Sequence, residues 1–147
     1  MKERWWTTPT EAENGKTIIV TGRDYLDDII SKGKFRFRVS AKWKYPALPS
    51  GMPNDNAAEL LQIVTDALLK EFNRDKAAYI TGIYTGDGER EWVFYTKNLN
   101  IFNRIFNRAL ENIEPLPLEF DAEEDPLWEE YFEMRDITYV PENDDER

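Results

Sequence analysis

IYTGDGEREWVFYT, residues 83–96, sets Gly86-Asp87-Gly88 between two runs of aromatic and β-branched residues. A glycine loop that cradles phosphate leads from a strand into a helix, so that the helix N-terminus and successive N–H groups face the anion. Here the residues after Gly88 include Trp92, Val93, Phe94 and Tyr95, a strand composition, and neither a Walker lysine nor a GxGxxG spacing is present. Asp-Gly is instead a pair favoured by the type I′ turn, because both central positions need positive φ. The stretch predicts an antiparallel hairpin turning on Asp87 and Gly88. Tyr84 then opposes Glu91, Ile83 opposes Trp92, Gly82 opposes Val93, Thr81 opposes Phe94 and Ile80 opposes Tyr95. One face carries Ile80, Tyr84, Val93 and Tyr95, and the other Tyr79, Ile83, Trp92 and Phe94.

The flanking segments extend this hairpin in both directions. In FRFRVSAKWKY, residues 35–45, Phe35, Phe37, Val39, Ala41, Trp43 and Tyr45 alternate with Arg36, Arg38, Ser40, Lys42 and Lys44, the period of a strand with one buried face. PALPSGMPND follows as a loop. Asp55 or Asn56 can cap a helix reaching about Asn73, whose Leu60, Leu61, Val64, Leu68 and Phe72 recur at spacings of three and four. Asn98 can cap a second helix, in which Ile101-Phe102, Ile105-Phe106 and Ala109-Leu110 make one wide apolar stripe. PLEFDA reads as a short edge strand after Pro115 and Pro117, and Pro126 suits the first turn of a last helix.

Residues 35–121 thus read strand, helix, strand, strand, helix, strand. This is the βαββαβ order of a ferredoxin-like α+β core, an antiparallel sheet with two helices on one face. Upstream, Asn14-Gly15 predicts a further hairpin, and a short helix is expected from Asp24 towards Gly33. The expected organisation is a single α+β domain over residues 1–135, followed by an acidic, disordered tail over 136–147.

Composition limits the chemistry. With 147 residues, 41% hydrophobic, the chain can bury one sizeable core. It contains no cysteine and no histidine. Disulfides, thiol catalysis, cysteine or histidine zinc sites and serine–histidine hydrolysis are therefore excluded within the chain. MKERWWTTPTEAENG has no apolar run of signal-peptide length, and no run of 18 apolar residues occurs anywhere, so the expectation is a cytoplasmic protein with no membrane partner. Residues 119–147 hold 13 acidic and 2 basic side chains, so the C-terminal fifth accounts for the whole of the formal charge of −10 and the rest of the chain is close to neutral. Such a segment is solvated or meets something basic, and it disfavours nucleic acid.

A sheet with helices on one side needs one apolar face, and the central hairpin has two, so the second face is expected to be covered. Three covers can be drawn. Single-stranded nucleic acid could use Arg36, Arg38, Lys42 and Lys44 with Trp92 and Phe94 as a binding row, although the RNA-recognition signature is missing. The chain's own last helix could dock Trp128, Tyr131 and Phe132, each contributing on the order of 1.5–3 kcal/mol, and carry Glu129, Glu130 and Glu133 past the basic row. The third cover is self-association or a protein partner. The C-terminal helix is the preferred cover, and nucleic acid the least favoured.

Carboxylates offer little else. Asp24 reads as a helix cap with Asp27 and Asp28 in the first turn, where they complement the macrodipole, rather than as a Mg²⁺ or Ca²⁺ site. Ser40 and Lys42 share a strand, a pairing that any alternating strand offers by chance. No metal, cofactor or catalytic residue is expected.

TGDGEREWVFY, with the closing Asp125-Pro126-x-Trp128-x-x-Tyr131 of DPLWEEYFEMRD, resembles the bacterial domain-of-unknown-function family numbered 695 from about Trp5 to Arg135. No activity is established for that family. Some of its members look as though they join this domain to one similar to the regulators of ribonuclease E, small acidic ferredoxin-like proteins, which implies a regulatory role by analogy. The expected function is a non-enzymatic bacterial interaction or regulatory module for a protein partner. The alternative is a sheet-face binder of single-stranded nucleic acid or a small aromatic ligand.

Overall fold

A computed structural model describes residues 2–142. Its elements are β1 (Trp5–Glu11), β2 (Thr17–Arg23), α1 (Asp27–Ser31), β3 (Phe37–Lys44), α2 (Asp55–Arg74), β4 (Ala78–Gly86), β5 (Glu89–Thr96), α3 (Leu99–Ala109), β6 (Glu119–Glu124) and α4 (Glu129–Thr138). The six strands form one antiparallel sheet in the order β1-β2-β4-β5-β3-β6. The fold is α+β, with two strands more than the four expected of residues 35–121. The N-terminal hairpin supplies them: β2 pairs with β4, from Ile18 opposite Gly86 to Gly22 opposite Gly82.

Local chemistry accounts for most of these elements. Asp87 and Gly88 take φ of 51° and 81°, the double positive φ that the central turn requires. Behind that turn, the Gly88 N–H donates to the Gly51 carbonyl at 2.8 Å. A Cβ on Gly51 would stand 2.9 Å from the Asp87 Cα, so only glycine admits this approach. Asn98 caps α3 by accepting the Ile101 N–H at 3.0 Å. Asn54, one residue ahead of the expected caps, holds α2 by accepting the Ala57 N–H at 2.9 Å. α1 is a short helix that starts at Asp27 rather than Asp24.

The central hairpin departs from its expected faces at one point. Ile80 lies opposite Phe94 and Gly82 opposite Val93, so Thr81 is an extra residue, a β-bulge. Below the bulge the alternation inverts. Ile80 joins Ile83, Trp92 and Phe94 on one face, and Tyr79 joins Tyr84, Val93 and Tyr95 on the other. The two residues have exchanged sides relative to the uninterrupted register.

Each face has its own core. On the first, α2 and α3 bury Leu61, Val64, Leu68, Phe72, Phe102, Ile105 and Phe106 against Val39, Ala41, Trp43, Ile80, Trp92 and Phe94. On the second, Trp128, Tyr131 and Met134 pack with Leu26 and Ile29 on Trp6, Val20, Tyr79 and Tyr95. Phe35 belongs to this second core, its ring 5.3 Å from that of Tyr79, because the strand begins only at Phe37 and the alternation expected from residue 35 does not reach it.

The expected boundary at residue 135 falls inside α4. Thr138 is buried, the Tyr139 hydroxyl donates to Asp24 at 2.9 Å, and Glu142 pairs with Lys2 at 3.1 Å. Thr138, Tyr139 and Glu142 thus contact the N-terminal strand region, although Thr138 is the one buried residue of 136–142. Residues 143–147, the rest of the expected tail, lie outside the described residues. Among the described residues no helix is long and apolar enough to cross a membrane.

Candidate functional site

The second face is built by Asp125. Its carboxylate accepts the Tyr95 hydroxyl at 2.7 Å and the Glu129 and Glu130 N–H groups at 2.9 and 3.1 Å, so one buried side chain joins the sheet to the start of α4. Trp128 turns through a left-handed conformation, φ 57°, and lies flat on Tyr95 with ring centroids 4.0 Å apart. Its Nε1 donates to the Phe35 carbonyl at 2.9 Å. Pro126 sits in the turn before the helix rather than in its first turn. Burial, with Asp125 alongside, raises the Tyr95 phenol well above its ordinary range, and burial does the same to Tyr131. At the other end of α4, Thr138 receives the Trp6 indole N–H at 2.9 Å. Trp6 lies directly over Gly22, where an added Cβ would come within 2.1 Å of its ring.

Asp24 ties this end to the N-terminus. It accepts from Arg4 at 2.8 Å, from Tyr139 and from the Tyr25 N–H, and Arg135 lies 4.0 Å away. Burial pushes its carboxyl up, but these partners outweigh it and hold Asp24 below the ordinary carboxylate value. Asp24 is therefore a clasp between the two ends of the described chain rather than the cap of α1.

The six residues expected to form a binding row do not come together. Trp92 and Phe94 are 0% exposed on the first face. The Trp92 Nε1 donates to Thr65 at 3.0 Å, and Phe94 is enclosed by Phe72, Phe102 and Phe106 with centroids 4.9–5.9 Å away. Neither ring is open to a base or an aromatic ligand. Arg38, Lys42 and Lys44 alternate onto the second face, and Arg36 is exposed just ahead of β3. Strand alternation separates the two halves of the row.

The basic residues also have acidic neighbours. Lys42 lies between Glu91 of β5 and Glu119 of β6, Arg38 pairs with Glu123 at 3.7 Å, and Lys44 lies opposite Glu89. The negative charge beside the row comes from the adjoining strands as well as from α4.

Beside the row is an open groove. α4 covers the second face from Tyr95 to β1 and leaves the hairpin end of the sheet free. Two depressions of about 490 and 350 Å³ share Ile18 and Tyr84 as their floor. Glu89, Glu91 and Lys44 border the first, and Glu11, Glu130, Glu133 and Ile137 border the second. Ile137 is 71% exposed although it is a large apolar side chain. Burial, opposed by Arg38 and reinforced by Glu91, Glu130 and Glu133, raises the Tyr84 phenol to about 12, so it stays neutral and able to donate at neutral pH. An apolar floor, a neutral hydroxyl and a carboxylate rim suit a ligand that carries positive charge on an apolar stem, as lysine and arginine do.

Tyr84 and Ile18 were not singled out by sequence reasoning. A usable signal existed: Ile18, Val20 and Gly22 alternate in β2, and the acidic residues 130 and 133 of α4 share a side with Tyr84 once the helix docks.

The family model described as a family of unknown function, DUF695, matches residues 4–134. No curated protein matches the chain, and no solved structure does.

Proposed function

We propose that this chain, which belongs to the DUF695 family, is a non-enzymatic interaction module that holds a basic segment of a protein partner in the groove over Ile18 and Tyr84. The observation that carries this reading is the groove itself: an apolar floor bordered by Glu11, Glu89, Glu91, Glu130 and Glu133 with Lys44 as the one basic side chain on its border among the described residues. Carboxylates at that density favour a cationic segment and repel nucleic acid, whose phosphates would have to pass the same rim. The lack of histidine and cysteine in the sequence supports binding over catalysis, since the commonest general base and the most nucleophilic side chain are both missing.

The same reading treats the inner strands, in the order β6-β3-β5-β4 with α2 and α3 on one face, as a ferredoxin-like unit to which β1 and β2 were added. That addition supplies Ile18 and hence half of the groove floor. A regulatory role in a bacterial cytoplasm is the setting this module would fit.

The test is a nuclear magnetic resonance titration with a lysine-rich peptide, followed by affinity purification from the native host. Shifts concentrated at Ile18, Tyr84 and Glu133, together with a partner that survives nuclease treatment and is lost from a Glu130→Gln, Glu133→Gln double variant of unchanged melting temperature, support the proposal. A partner released by nuclease, or one retained equally by the double variant, sinks it.

A further inference from the structure

The two ends of the sheet are finished differently. β1 carries Pro9, which has no N–H to offer, in the middle of its length. A proline there blunts the edge against a further strand. β6 has no proline, and all six of its residues, Glu119–Glu124, are exposed.

The phase of its free hydrogen bonds can be read. The Asp125 N–H donates to the Arg36 carbonyl at 2.8 Å, and the pairing sets Glu123 against Arg38, Asp121 against Ser40 and Glu119 against Lys42. In an antiparallel pair alternate residues exchange both bonds, so Glu119, Asp121 and Glu123 turn their backbones to β3. Phe120, Ala122 and Glu124 turn theirs outward.

The side chains of this edge are sorted by face. Phe120 lies on the first face, 52% exposed, edge-on to Phe106 at 5.0 Å. It separates two crevices of about 370 and 180 Å³, the larger walled by Leu110, Ile113 and Leu118 and bordered by Asn107, Glu111 and Glu114. On the second face Glu119, Asp121 and Glu123 form a carboxylate row, in which Asp121 stands opposite Ser40 and Glu123, although paired with Arg38, keeps half of its side-chain surface open.

We infer that β6 is a second docking surface, which accepts an extended segment of another protein as a seventh strand, with apolar residues alternating with lysine or arginine. Its apolar side chains enter the crevices beside Phe120, and its basic ones meet the carboxylate row. Charge selects this occupant over a second copy of the chain. Two β6 strands paired antiparallel about a two-fold axis set Asp121 against itself, against Glu123 or against Asp125, and like charges directly opposite are destabilising. The surface uses none of the groove residues, so it stands or falls independently of the groove.

The probe is a synthetic peptide of alternating lysine and valine with blocked ends, and the readouts are fluorescence anisotropy and residue-resolved amide exchange on the full chain. Binding is expected to slow exchange of the Phe120, Ala122 and Glu124 amides, while those of Asp121 and Glu123, already bonded to β3, change little. Two variants accompany it. Ala122→Pro removes an outward N–H that β3 does not use and is expected to abolish binding. Neutralising the row with Glu119→Gln, Asp121→Asn and Glu123→Gln, which leaves the backbone unconstrained, is expected to weaken binding on the order of tenfold. The inference is overturned if no saturable binding is found up to about 1 mM. It is equally overturned if the neutralised row binds as tightly as the original, or if the protected amides are those of Ile18 and Tyr84 instead.

Discussion

The two faces of the sheet are closed by different means. On the first, two amphipathic helices lay a continuous apolar stripe over Trp92 and Phe94, and the side chains meet as interlocking rings. On the second, a short helix is fastened by named polar bonds: Asp125 at one end, Thr138 and Asp24 at the other, with Trp128 stacked between. A face closed at its ends can leave part of its surface open, and here the open part is a groove.

The sharpest way to break this contrast is to remove a ring from the first face. Phe94→Ala should cost about 3–5 kcal/mol, because Phe72, Phe102 and Phe106 are held by their helices and cannot collapse fully into the space. Urea denaturation measures it. A loss below about 1 kcal/mol would mean that the first face is loosely packed after all.

Overpacking tests the second face next. Gly22→Ala puts a methyl group within 2.1 Å of the Trp6 ring, so the ring has to lift, and with it the bond to Thr138. A loss of about 1–3 kcal/mol is expected, with greater amide exchange in α4 and little change in α2. Equal loosening of both helices would show that the two cores are not separable.

How much of this was readable from the sequence differs between the faces for the same reason. Periodicity reports burial, so the α2 and α3 stripes, the alternation of β3 and the Asp87-Gly88 turn were all legible, and Asn98 announced its cap. The aromatic side of α4 was legible too, since Trp128 and Tyr131 had nowhere else to go. The exchange of Tyr79 and Ile80 was not, because one extra residue at Thr81 inverts a period of two, although Gly82 within a strand was a hint of a bulge. The expected site failed at the same level: Arg38 and Trp92 lie on adjacent strands but alternate to opposite faces. Asp24 read as a helix cap in sequence, and only long-range pairing gives it and Asp125 their partners. The groove is assembled from all of the strands except β6 together with α4, and no local pattern encodes such a convergence.

A smaller change addresses the fastening itself. Asp125→Asn keeps the shape of the side chain but leaves one carbonyl oxygen to accept what two carboxylate oxygens accept from Tyr95, Glu129 and Glu130. The expected loss is about 1–3 kcal/mol, with the Trp128 indole N–H resonance moving in the nuclear magnetic resonance spectrum as its stack on Tyr95 loosens. An unchanged spectrum would mean that the stack, rather than the carboxylate, holds α4 in place.

The smallest effect on stability, and the most informative for the groove, is expected from Tyr84→Phe. Its hydroxyl has no hydrogen-bond partner among the described residues, so near neutral pH the variant should differ from the wild type by less than about 0.5 kcal/mol. Alkaline pH separates them. The folded phenol is raised from 10.0 to about 12, so below pH 10 it is protonated in both states and contributes no slope. From pH 10 to about 12 the unfolded chain ionises first, and stability falls as pH rises. Tyr95 and Tyr131 are shifted in the same direction and add to that fall, so Tyr84→Phe should remove part of the slope and leave the rest. If the variant follows the wild-type curve throughout that window, Tyr84 meets water freely, and the groove floor is wetter than a basic side chain on an apolar stem requires.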